Sequence, residues 1–107
     1  MSKDGKLENK KTRVFEVLKK VPFGRVVTYG VLAKRCGVLN PRSIGWILGK
    51  NINPNDIPCY KVVLSSGRLA GGYKFGGPRA QKKRLEAEGI ILNRSGRIED
   101  FEKILWS

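Results

Sequence analysis

Residues 28–50 carry punctuation that only two short helices with a break between them can satisfy. Thr28 is a helix-start residue, Gly37 a stop, and Asn40-Pro41 a second start. Threonine and asparagine oxygens accept from the unpaired amides of a first turn. Proline at the first helical position lacks an N–H that would have no partner there, and glycine closes a helix by turning left-handed. The first helix should bury Val31 and Leu32, with Cys36 near its end. The second spans 41–50. At about 100° per residue, Ile44, Ile47 and Leu48 share a core-facing side, and Arg42, Gly45, Trp46 and Gly49 share the other.

Each interior glycine costs roughly 1 kcal/mol against alanine, so the outer face needs a reason for two of them. Either another surface approaches the helix backbone closely beside Arg42, or Gly45 lies under another helix and Gly49 simply weakens the helix end.

Upstream, Val14, Phe15, Leu18 and Val21 recur at helical spacing and end at Pro22-Phe23-Gly24. Arg25-Val26-Val27 reads as a short strand. Downstream, Lys61–Leu64 and Arg68–Tyr73 flank Ser65-Ser66-Gly67, the pattern of a hairpin or wing. A glycine-rich loop surrounds Tyr73 and Phe75, and Arg79–Glu88 reads as a helix closed by Gly89. The chain ends through Ile90-Ile91-Leu92, a turn at Ser95-Gly96 and an amphipathic end with Phe101, Ile104, Leu105 and Trp106. Polar residues 1–9 read as frayed or disordered, and 10–107 as one domain with a single modest core. The expected class is mostly α with a small β hairpin (α+β), a winged-helix-like DNA-binding domain with a helix-turn-helix.

Charge points the same way. Residues 10–84 carry 17 Lys/Arg against only Glu16 and Asp56, a local excess of +15 within a total of +13. A field of one sign suits a polyanion, most simply nucleic acid, whereas surfaces charged for solubility mix both signs. No apolar run approaches the roughly 18 residues of a membrane span, and the Lys-rich start lacks a signal-peptide core. The chain therefore reads as soluble, cytoplasmic and DNA-associated.

The segment Ile57-Pro58-Cys59-Tyr60-Lys61-Val62-Val63 holds the one residue with evident chemistry. Cys36 and Cys59 stand 23 residues apart, and the chain has no histidine. That spacing fits neither a zinc site nor a disulfide framework, and no Cys/His metal site can form. Cys59 is either a nucleophile or an inert buried thiol.

In register, these pieces resemble the C-terminal domain of O(6)-alkylguanine-DNA alkyltransferases (methylated-DNA–protein-cysteine methyltransferases) and their shorter alkyltransferase-like relatives. The likeness rests on Pro22-Phe23-Gly24-Arg25-Val26-Val27-Thr28-Tyr29-Gly30, Arg42-Ser43-Ile44-Gly45 with Asn51, the segment 57–63, Gly71-Gly72-Tyr73, and Leu85-Glu86-Ala87-Glu88-Gly89. It implies a recognition helix in the DNA minor groove, with Arg42 filling the gap left by a flipped nucleotide and Tyr29 promoting its rotation. Thr28, Ser43, Gly45 and Trp46 join these two as expected DNA contacts. Tyr29, Val62, Gly71, Gly72 and Tyr73 would form the base pocket. Cys59 matches the alkyl acceptor, Asn51 the asparagine bracing its turn, and Glu88 the acid ending a hydrogen-bond relay. The implied partner is double-stranded DNA containing alkylated guanine, met by a monomer with no metal or organic cofactor and no membrane.

One departure bears on the chemistry. The family pattern is Pro-Cys-His-Arg-Val, and Tyr60 and Lys61 replace its histidine and arginine. A phenol with a reference pKa near 10 can relay or donate a proton, but it is a poor base at neutral pH. The thiol, near 8.5 by reference, then depends on nearby positive charge to ionise. The expected activity is single-turnover transfer of the alkyl group to Cys59, with Tyr60, Glu88 and Asn51 in support. One alternative is a non-enzymatic alkyltransferase-like protein that flips the lesion and flags it for downstream repair proteins. A generic winged-helix regulator is a further alternative, though its third helix should carry base-reading polar side chains rather than glycines.

Overall fold

The computed structural model describes residues 3–38 and 40–107. Five helices and a two-stranded sheet follow in order: α1 (Lys3–Lys19), β1 (Val27–Thr28), α2 (Tyr29–Cys36), α3 (Pro41–Leu48), a 3₁₀ turn (Cys59–Lys61), β2 (Val62–Val63), α4 (Gly77–Glu86) and α5 (Phe101–Ile104). Helix α1 starts at Lys3, so most of the stretch read as frayed is helical, and residues 1 and 2 lie outside the described residues. Further along α1, Val14 and Leu18 are fully buried.

The punctuation of residues 28–50 acts as its chemistry dictates. The Thr28 hydroxyl accepts from the Val31 amide at 3.1 Å, and α2 closes on Gly37 at φ 67°. Asn40 accepts from the Arg42 amide at 3.0 Å and Pro41 opens α3. Helices α1, α2 and α3 pack around Leu18, Leu32, Ile44 and Ile47, each worth about 1.5–3 kcal/mol of burial.

The small sheet is not the expected hairpin. β1 pairs in parallel with β2, Val27 opposite Val62 and Thr28 opposite Val63. The turn at 65–67 does form, with the Leu64 amide donating to Arg68 O at 2.9 Å. Its outgoing arm, however, bridges to Arg97, and the Ile98 amide donates to Gly67 O at 2.9 Å. Leu69–Gly72 ends in two glycines that hold a ladder poorly, and the C-terminal segment supplies the competing partner. That segment also adds a second cluster, Val26, Val63, Leu85, Ile90, Ile98 and Phe101. Gly67 is required here: at φ +81°, an added Cβ would lie 3.1 Å from the Phe101 ring.

Candidate functional site

Cys59 opens the 3₁₀ turn and is 7% exposed. It borders a cavity of about 270 Å³ whose other walls come from Tyr29 of α2, Gly45, Leu48 and Gly49 of α3 and its end, Tyr73 and Lys74 of the glycine-rich loop, and Gln81 of α4. The helix-turn-helix, the cysteine turn and the loop therefore converge on one thiol.

Asn51 holds that turn. Its Nδ2 donates to Ile57 O at 2.9 Å and to Cys59 Sγ at 3.3 Å, while its Oδ1 accepts from the Asn53 amide at 2.9 Å. The Oδ1 contact fixes which end of the amide faces the sulfur. Burial pushes the Cys59 thiol up, against the Asn51 hydrogen bond, a backbone hydrogen bond and the charges of Arg84 and Lys74. Lys74 Nζ donates to Gly49 O at 2.9 Å and Asn51 O at 3.0 Å, tying the loop to the end of α3. Arg84 donates to Asn55 Oδ1 at 2.9 Å and lies over the Tyr60 ring at 5.4 Å.

Glu88 sits in a separate, closed network. Its Oε2 accepts from the Tyr60 hydroxyl at 2.5 Å; its Oε1 accepts from the Gly24 amide at 2.9 Å and pairs with Lys61 Nζ at 2.8 Å. The Lys61 ammonium also donates to Pro22 O at 2.8 Å. Burial alone would raise the Glu88 carboxyl, but the hydrogen bonds from Lys61, Tyr60 and Gly24, with the Lys61 charge, bring it below its usual range. Burial and the same carboxylate drive the Tyr60 phenol far up, so it keeps its proton. Among the described residues no hydrogen bond joins Tyr60 to Cys59.

Not every expected site residue reaches the cavity or the surface. Thr28 is 6% exposed and its hydroxyl already accepts from α2, so it offers nothing to an outside surface. Val62 is core, 1% exposed and paired with Val27. Gly71 is exposed, while its neighbours Ala70 and Gly72 line the cavity. Arg42, Gly45 and Trp46 are all exposed on α3, and Ser43 is half-buried. Lys74, Gln81 and Arg84 were missed. Gln81 stands four residues before buried Leu85, so the helical period could have revealed it; the other two left no local signal.

The two glycines of α3 have different explanations. Gly49 ends the helix, where an added Cβ would meet Trp46 O at 3.2 Å. At Gly45, among the described residues, an added Cβ would meet only Tyr29 Cε1 of α2, at an ordinary 3.9 Å, so no neighbouring helix presses on it. Among the described residues nothing requires glycine at 45.

A family model described as 6-O-methylguanine DNA methyltransferase, DNA binding domain, matches residues 9–90. The chain is 42% identical over 80 residues to a methylated-DNA–protein-cysteine methyltransferase of Methanothermobacter thermautotrophicus, covering 75% of this chain and 44% of that protein. It therefore spans under half the length of that relative. It is 34% identical over 95 residues to a DNA base-flipping protein of Vibrio parahaemolyticus, covering 88% of this chain and 92% of the relative. The crystal structure of S. pombe Atl1 in complex with damaged DNA containing O6-carboxymethylguanine superposes with a TM-score of 0.79 at 25% identity, over 100% of this chain and 99% of that one. Among the described residues no helix is long and apolar enough to cross a membrane. The outward helix face, the cysteine turn and its asparagine brace thus lie inside a matched segment, and the chain belongs to the 6-O-methylguanine DNA methyltransferase family through its DNA-binding domain.

Proposed function

We propose that this protein binds alkylated duplex DNA through α3, turns an O(6)-alkylguanine into the cavity beside Tyr29, and accepts the alkyl group on Cys59. The observation that carries the proposal is the thiol itself, which borders a cavity bounded on one side by the outward helix and, among the described side chains, is held by Asn51 alone. The base must leave the stack because its alkylated edge cannot reach a buried thiol within the duplex. Arg42, exposed at the start of α3, fills the vacancy.

In the step itself, Cys59 Sγ attacks the alkyl carbon. The S–C bond forms as the C–O bond to guanine breaks, and guanine leaves with the electron pair. The thiol loses one proton and guanine gains one. The thioether is stable, so each molecule reacts once. Asn51, Lys74 and Arg84 favour the thiolate, and Asn51 also fixes the line of attack.

A second reading, lesion recognition without transfer, is favoured by one observation. Tyr60 is bound to Glu88 and stays protonated, so among the described residues no base adjoins the thiol. Equilibrium binding to duplexes with and without O(6)-methylguanine, measured for the wild type and Cys59→Ala, tests what the readings share. A preference for the lesion retained in Cys59→Ala supports flipping into this cavity. Equal affinity for both duplexes refutes both readings and leaves general DNA binding.

A further inference from the structure

An indole stands on the outward face of α3, which otherwise carries Arg42 and two glycines. Trp46 is 55% exposed, and the Lys50 ammonium lies over its ring at 4.7 Å. With Arg42 as the origin and about 100° per residue, Gly49 falls near −20° and Gly45 near −60°, whereas Trp46 falls near +40°. The cavity takes its α3 wall from Gly45, Leu48 and Gly49, all on the negative side. Trp46 therefore stands on the flank of α3 away from Cys59, and Lys50, just past the helix end, lies over it.

A helix about 10 Å across cannot enter a minor groove about 6 Å wide without prying it open and touching both walls. The strand that gives up a nucleotide to the cavity must form the wall on the cavity side. Resting on the function proposed above, we infer that Trp46 and Lys50 grip the opposite strand, the one holding the base left unpaired. The indole offers an apolar wedge against deoxyribose, of the kind that keeps a minor groove open, and the ammonium offers a counter-charge to a phosphate. Their contact aligns the two groups along one backbone. Arg42 would then mark the boundary between strands, with glycines facing the lesion strand and a bulky pair bracing its complement.

The experiment uses duplexes bearing a single O(6)-methylguanine, with neutral methylphosphonates replacing phosphates one at a time on each strand. Affinities are measured for the wild type, Trp46→Ala and Lys50→Ala, with melting curves to show that these exposed substitutions leave the fold intact. The expected result is a wild-type loss of about threefold to tenfold at particular phosphates of both strands. Both variants should bind more weakly and lose their sensitivity only at the strand opposite the lesion. Lys50→Ala should also lower the slope of log affinity against log salt by about 0.9. Altered sensitivity on the lesion strand, or unchanged sensitivity on both, overturns the strand assignment while leaving the proposed function in place. A wild type that does not bind the lesion duplex overturns the proposed function and this inference together.

Discussion

Replacing Glu88 by glutamine separates an anchoring role for this carboxylate from a role in proton relay. The side chain is 7% exposed and receives the Tyr60 hydroxyl, the Gly24 amide and the Lys61 ammonium, itself 4% exposed. Glutamine keeps the shape and one acceptor but removes the charge, leaving Lys61 with the carbonyls of Val21 and Pro22. Stranding one half of a buried pair costs about 3–5 kcal/mol, and the retained acceptor places Glu88→Gln near 3 kcal/mol. At about 4–8 °C per kcal/mol for a domain of this size, melting should fall by about 12–24 °C. The pH dependence has a definite sign. The folded pKa lies below the unfolded one, so the carboxylate's contribution is complete above the ordinary carboxylate range. It is lost as pH falls through the depressed value. Urea titrations at pH 7 and at pH 3 should therefore show a wild-type advantage that shrinks on acidification. Because among the described residues no hydrogen bond links the network to Cys59, alkyl transfer by the folded fraction should change less than about threefold. A variant within about 0.5 kcal/mol of the wild type, a pH-independent difference, or a hundredfold loss of transfer with stability intact would refute the anchoring role.

Three further outcomes are expected. Gly45→Ala should gain up to about 1 kcal/mol in thermal stability, since the added Cβ meets only Tyr29 at 3.9 Å, yet weaken binding of duplex DNA; unchanged DNA affinity would remove the reason given for that glycine. Tyr60→His replaces the Glu88-bound phenol, next in sequence to Cys59, by a shorter ring that titrates near neutrality and should speed alkyl transfer at least about tenfold, whereas an unchanged or slower rate in single-turnover assays counts against a missing base. Burial holds the Cys59 thiol up, so the transfer rate should climb about tenfold per pH unit between 6.5 and 8.5, and a flat profile would mean the thiolate is already formed at neutral pH.

Helices α2 and α3 were legible because their signals are local. Thr28, Gly37, Asn40 and Pro41 act within a few residues of themselves, and the apolar period of α3 divides Ile44 and Ile47 from Arg42 and Trp46 without help from the rest of the chain. The sheet was not legible, because Val27 and Val62 are far apart in sequence and residues 97–98 displace the expected hairpin partner. The same division runs through the site. Cys59 and Asn51 were readable from their motifs. The Lys74 clasp on Gly49 and Asn51 depends on where a loop folds back, which no local pattern records. By its place in the sequence Tyr60 reads as a weakened relay next to the thiol. Its side chain instead turns to Glu88, making it part of the scaffold.

The central claim is that the Cys59 thiol meets the alkyl group of a guanine turned out of the duplex. Intact-mass measurement after incubation with a duplex containing O(6)-methylguanine, followed by peptide mapping, tests it most directly. The mass should rise by one methyl group per molecule, located on Cys59, and stay unchanged in Cys59→Ala and with an undamaged duplex. An unchanged mass alongside tight, lesion-selective binding would contradict transfer and make this a protein that flips the lesion without repairing it.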